Sequence, residues 1–123
     1  MRALVEETRS AGGTVRFESV GQAAPLPPTT GLAVYRLVQE SLTNVRKHAR
    51  GQAADVRLRW SAARLEIDVS NDGLPARPRS DGFGLIGMRE RITAVGGRVE
   101  AGPKPRGGWR VRAEIPLSQA GTR

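Results

Sequence analysis

The spacing of apolar residues changes once, sharply, in the middle of this chain, and that change limits the folds open to it. Between Gly31 and Ala49, the residues Val34, Val38, Leu42, Val45 and Ala49 lie on one side of a helix. After Arg50-Gly51 the period becomes two. Val56, Leu58 and Trp60 alternate with Arg57 and Arg59, and Leu65, Ile67 and Val69 alternate with Glu66 and Asp68. Ser61-Ala62-Ala63 between these runs is a hairpin-sized gap. Strands that alternate cleanly have one buried face and one wet face. A long amphipathic helix beside such a hairpin calls for a helix layer on a sheet layer.

The flanking segments extend this pattern. Arg2 to Ser10 read as the end of a helix that begins without a cap and stops at Gly12-Gly13. Val15 and Phe17 alternate with Arg16 and Glu18 as a short strand. Gly21 to Thr30 reads as a loop punctuated by Pro25, Pro27 and Pro28, with Thr30 as the expected N-cap of the long helix. A loop rich in Pro and Arg follows Asn71-Asp72-Gly73 and runs to Asp81. Leu85, Met88, Ile92 and Val95 make one face of a further helix, which Gly96-Gly97 ends. Val99 and Ala101, then Trp109, Val111, Ala113 and Ile115, predict a second hairpin, and 117–123 a frayed tail. The expectation is a single α/β (α+β) domain over 1–123. It would be a two-layer sandwich of a mixed, largely antiparallel sheet, covered on one face by helices.

Composition excludes several classes. The 123 residues contain no cysteine and one histidine. Disulfide scaffolds, thiolate metal sites and histidine-rich zinc sites are therefore excluded, and a reducing cytosolic setting is compatible. No apolar run approaches the roughly 20 residues of a membrane span, and no signal-peptide pattern opens the chain. The net charge of +8 attracts polyanions. Its arginines are scattered, however. Arg57, Arg59, Arg64, Arg110 and Arg112 take solvent-facing strand positions, with no basic run and almost no aromatic interleaving. No nucleic-acid partner is expected.

Glu40, Asn44 and Lys47 form one polar stripe on the long helix, with His48 at its edge. An acid, an amide and a cation one turn apart suit a metal-bound anion, although the segment alone reads more readily as a solvated face. Gly82-Phe83-Gly84-Leu85-Ile86-Gly87 spells G-x-G-x-x-G, and Glu100 sits near the spacing of a ribose-binding acid. The dinucleotide fingerprint needs a strand running straight into the first glycine. Here a polar loop intervenes and the later strands pair as hairpins, so that reading is rejected. What remains is a glycine-rich loop that opens a helix, where backbone N–H groups attract phosphate. At Asn71-Asp72-Gly73 a side-chain oxygen can accept from an exocyclic amine such as that of adenine, or simply make an Asx turn.

In this order the three segments resemble the GHKL family of ATP-binding domains, the Bergerat fold. The resemblance extends to the catalytic domain of sensor histidine kinases of the DesK/NarX type. The strings that carry it are Tyr35-Arg36-Leu37-Val38-Gln39-Glu40-Ser41-Leu42-Thr43-Asn44, Lys47-His48-Ala49 and Gly84-Leu85-Ile86-Gly87-Met88-Arg89-Glu90-Arg91. It implies that Asn44 ligates Mg²⁺ bridging the ATP phosphates and that Glu40 is the acid which, in related ATPases, polarises the attacking group. Lys47 and His48 would lie near the phosphates or ribose, so His48 would not be the phosphoacceptor. Asn71, Asp72 and Gly73 match the adenine-reading box, usually D-x-G-x-G, with Asn71 at the aspartate position and Pro75 at the second glycine. Gly82, Gly84, Leu85 and Gly87 match the box whose amides meet the phosphates, and Leu74 to Asp81 would be a short ATP lid. The implied partners are a dimerisation domain bearing the phosphoacceptor histidine and a NarL-type response regulator. The domain alone is expected to be a cytoplasmic monomer. Anti-sigma serine kinases, GHKL ATPases and a degenerate, non-catalytic binding module are the alternatives.

Overall fold

Eight elements follow the expected order of helix, strand, helix, two strands, helix, two strands. They are α1 (Arg2–Ser10), β1 (Val15–Val20), α2 (Pro28–His48), β2 (Ala54–Trp60), β3 (Arg64–Asn71), α3 (Leu85–Ala94), β4 (Arg98–Pro103) and β5 (Trp109–Pro116). This is a computed structural model; it describes residues 1–48, 53–72, 85–105 and 107–117. The strands form one five-stranded sheet in the order β1-β2-β3-β5-β4. β1 pairs parallel to β2, across the α2 crossover, and every other neighbour is antiparallel. The sheet is therefore mixed and largely antiparallel, with the helices packing on one side.

Register explains where the core sits. Leu65, Ile67, Val69 and Asn71 of β3 stand opposite Trp60, Leu58, Val56 and Ala54 of β2. On the other flank they stand opposite Ile115, Ala113, Val111 and Trp109 of β5. Because side chains alternate with period two, these residues share one face. That face meets Leu37, Val38 and Leu42 of α2 and Met88 and Ile92 of α3, all buried in one cluster with Leu4 and Val5 of α1.

α2 begins earlier than the sequence suggested. It opens at Pro28 rather than after Thr30, and the Gly31 N–H already donates to the Pro27 carbonyl at 2.8 Å. Proline lacks an N–H that the first turn does not use, and its fixed φ suits that position. Thr30 therefore lies inside the first turn rather than at its cap. Gly96 ends α3 with φ +85°, in the left-handed region the helix stop requires.

Candidate functional site

The candidate site draws its residues from α2, α3 and the end of β3. α2 buries Leu37, Val38, Ser41 and Leu42, which turns Glu40 and Asn44 to the flank of that face. Ser41 is fully buried. Its Oγ donates to the Leu37 carbonyl at 2.7 Å and lies 3.9 Å from Met88 Sδ on α3. One turn along α3, Arg91 Nη2 donates to Glu40 Oε2 at 2.5 Å. These contacts join the middle of α2 to the first turns of α3, where Gly87 lies.

Arg91 leans toward Gly87. Helical side chains tilt toward the N-terminus of their own helix. Its Nη1 and Nη2 come 3.5 and 3.7 Å from where a Cβ on Gly87 would stand. The guanidinium thus fills the space between Glu40 on one helix and Gly87 on the other. Both partners are only partly exposed, with 34% of the Glu40 side chain and 38% of the Arg91 side chain accessible. Two polar atoms of the pair, Glu40 Oε1 and Arg91 Nε, are buried without a hydrogen-bond partner among the described residues.

Asn71 is the last rung of the buried column on β3 and is only 3% exposed. Its Nδ2 donates to the Asp72 carbonyl at 3.0 Å. The β4–β5 turn presses on this strand end: a Cβ on Gly108, which has φ +88°, would stand 2.0 Å from the Asn71 carbonyl oxygen. Asp72 differs from its neighbour. It is exposed, and Lys104 Nζ donates to its Oδ1 at 2.7 Å and to the Asn71 carbonyl oxygen at 3.3 Å. The Lys104 hydrogen bond and then its charge hold the Asp72 carboxyl below the ordinary aspartate value.

The fold therefore places Glu40 against α3 at Gly87, with Asn44 one turn further along α2, and sets Asn71 at the end of the helix-facing column. Asp72 faces solvent beside Lys104. Lys47 and His48 fall in the last turn of α2 and Leu85 opens α3, but their side chains lie outside the described residues, as do Gly73, Gly82 and Gly84. Sequence reasoning assigned no role to Arg91, Ser41 or Lys104. Arg91 was the most accessible of these, because Gly87 and Arg91 are four residues apart and share a helix face. Lys104 reaches Asp72 only through a hairpin, which spacing along the chain does not reveal.

The chain belongs to the family described as histidine kinase-, DNA gyrase B- and HSP90-like ATPases, whose sequence profile matches residues 29–119. It is similar to the signal transduction histidine-protein kinase/phosphatase DegS of Brevibacillus brevis, with 29% identity over 85% of this chain and 28% of that protein. It is also similar to the sensor histidine kinase LnrJ of Bacillus subtilis (strain 168), with 29% identity over 96% of this chain and 30% of that protein. The chain thus spans under a third of the length of these relatives. Among solved structures, the nucleotide-free catalytic domain of histidine kinase ThkA superposes with a TM-score of 0.74 at 17% identity, covering 94% of this chain and 88% of that one. The blue-light activated histidine kinase EL346 of Erythrobacter litoralis gives 0.73 at 24% identity, over 96% of this chain and 44% of that one. At these identities the two likenesses establish the fold.

Proposed function

We propose that this chain is the ATP-binding catalytic domain of a two-component sensor histidine kinase. It would hold Mg·ATP for phosphoryl transfer to a histidine on a separate dimerisation domain. The observation that carries the reading is the junction of Glu40, Arg91 and Gly87, where the polar stripe of α2 meets the first turn of α3. Family membership and similarity to named sensor kinases support it.

The donor chemistry suits a hard cation: Asn44 offers a neutral amide oxygen on the polar stripe of α2, while Glu40 is held by Arg91. That fits Mg²⁺, which takes one or two protein ligands and completes its shell with phosphate and water. When bound, Mg²⁺ spreads the charge of the triphosphate. The chain's own residues do the rest. Asn44 ligates the ion, and the backbone amides that open α3, from Gly82, Gly84, Leu85 and Gly87, receive the phosphates. Lys47 and His48 are assigned to the phosphate or ribose end on the strength of the family resemblance. Asn71, rather than Asp72, reads the adenine amine. Its Nδ2 is already committed to a backbone carbonyl, which leaves Oδ1 as the acceptor, and Asp72 is paired with Lys104. Holding the triphosphate in line for an incoming imidazole is then a matter of positioning and charge.

The imidazole belongs to another domain, and a NarL-type response regulator receives the phosphoryl group next. No helix of the described residues is long and apolar enough to cross a membrane. We place this domain on the cytoplasmic side, where ATP is supplied. Melting curves test the reading. At a hundredfold excess over Kd, Mg·ATP stabilises a protein that binds it only when folded by about 2.7 kcal/mol. Asn44→Ala should lose most of the Mg-dependent part of that gain while keeping the ligand-free melting temperature. An unchanged gain would remove Asn44 from the metal site, and γ-labelled ATP that stably labels this chain alone would overturn transfer to another domain.

A further inference from the structure

Arg91 competes with water for the carboxylate of Glu40. Oε2 is taken by Arg91 Nη2 at 2.5 Å, and Oε1 is buried without a partner among the described residues. To act as a base on water, a carboxylate must present a free lone pair to that water within hydrogen-bond reach. Hydrolysis would join the water oxygen to the γ-phosphorus, break the bond to the bridging oxygen of ADP, and pass the water proton to the carboxylate, yielding ADP and phosphate. The Arg91 guanidinium opposes the last transfer by occupying an oxygen of the carboxylate it holds.

The clamp is built from the helix that opens on the phosphate site. Arg91 is four residues beyond Gly87, and its guanidinium lies at ordinary contact distance over that glycine. It is also a single-contact clamp, because Arg91 Nε is buried and makes no hydrogen bond among the described residues. Here the pair restrains the carboxylate with one bond and leaves its second oxygen shielded from solvent.

We propose that Arg91 is a positioning residue that withholds Glu40 from water, so that ATP bound in this site is kept for transfer instead of being hydrolysed. The inference rests on the Mg·ATP reading above. It assigns Arg91 no contact with the reacting atoms; Arg91 acts through Glu40.

The test is phosphate release by this 123-residue chain at saturating Mg·ATP, with occupancy fixed beforehand by the ligand-induced melting shift. Arg91→Gln should raise phosphate release per bound ATP about tenfold, a modest part of what a positioned base supplies. The double variant Glu40→Gln/Arg91→Gln should return to the level of the unmodified chain. Arg91→Lys, which keeps the cation and loses the guanidinium contact, should give a smaller rise. It also carries the test by itself if Arg91→Gln melts below the assay temperature. A merely structural Arg91 would lower melting temperature and ATP occupancy without raising release per bound ATP. Unchanged or reduced release in a folded, ATP-bound Arg91 variant overturns the proposal, as does a rise that persists in the double variant. If the unmodified chain shows no melting shift with Mg·ATP, the nucleotide reading itself falls and this inference falls with it.

Discussion

The two faces of the sheet are made from the same strands and differ in almost everything else. On the helix side, the columns of β2, β3 and β5 are buried aliphatic residues, and Asn71 is the buried polar residue at the site end of its column. On the open side, the alternate positions of those strands carry arginines and carboxylates. There, Arg16 pairs with Asp55, Arg57 with Glu18, and both Arg110 and Arg112 with Asp68. This face also has a concavity of about 410 Å³ lined by Arg16, Asp55, Arg57, Asp68, Lys104 and Arg110. Its charges are partnered with each other. The lesson is that a large hollow and a basic net charge do not mark the site. The site we propose lies on the apolar side, where Glu40 meets Arg91 and Asn71 bonds the Asp72 carbonyl.

Breaking the apolar side should cost most. Ile67 is fully buried at the centre of β3, and Ile67→Ala should lower unfolding free energy by about 2–5 kcal/mol in urea titrations. A smaller loss would mean the helix layer collapses into the cavity. Gly108→Ala attacks the seam between the faces. The left-handed φ and the 2.0 Å approach to the Asn71 carbonyl predict a loss of about 2–3 kcal/mol. Because the carbonyl it displaces belongs to Asn71, weaker Mg·ATP binding should accompany that loss. Normal stability in this variant would show that the hairpin can move away from β3.

The open face should respond weakly. Asp68→Asn removes the shared acceptor of Arg110 and Arg112 at 3.4 Å each, yet the loss should stay within about 1 kcal/mol. A larger loss would make the charged face a structural partner of the core. Smallest of all is the effect of acid on Asp72. Its carboxyl pKa is lowered in the folded state, chiefly by the Lys104 hydrogen bond. The contribution is therefore present above the unfolded value of 3.8 and is lost as pH falls through the lower, folded value. Lys104→Met should remove that slope from the acid limb of a stability–pH curve and lower the neutral plateau slightly, by the same contribution.

Much of this architecture was legible in the chain. The switch of period after Arg50 separated α2 from the first hairpin, and the alternation of Leu65, Ile67 and Val69 identified the buried column of β3. Proline chemistry was misjudged at the start of α2, where Pro28 opens the helix instead of ending a loop. The reason is that proline is a breaker inside a helix and a good first residue, so its meaning depends on which side the helix lies. At the site, Glu40, Asn44 and Asn71 were singled out by residue type and order. Arg91 was visible only as part of a family-like string, because its partner lies 51 positions away. Lys104 was missed for the same reason, 32 residues from Asp72.

The sequence by itself determined the elements, their order and which side of each strand faces inward, because helical and strand periods are local properties of neighbouring residues. Tertiary structure alone decided that β1 adds parallel at the sheet edge, that Arg91 closes on Glu40 over Gly87, and that Asp72 is held by Lys104 while Asn71 is buried. Those outcomes depend on contacts between segments brought together by packing, where distance through space bears no fixed relation to distance along the chain.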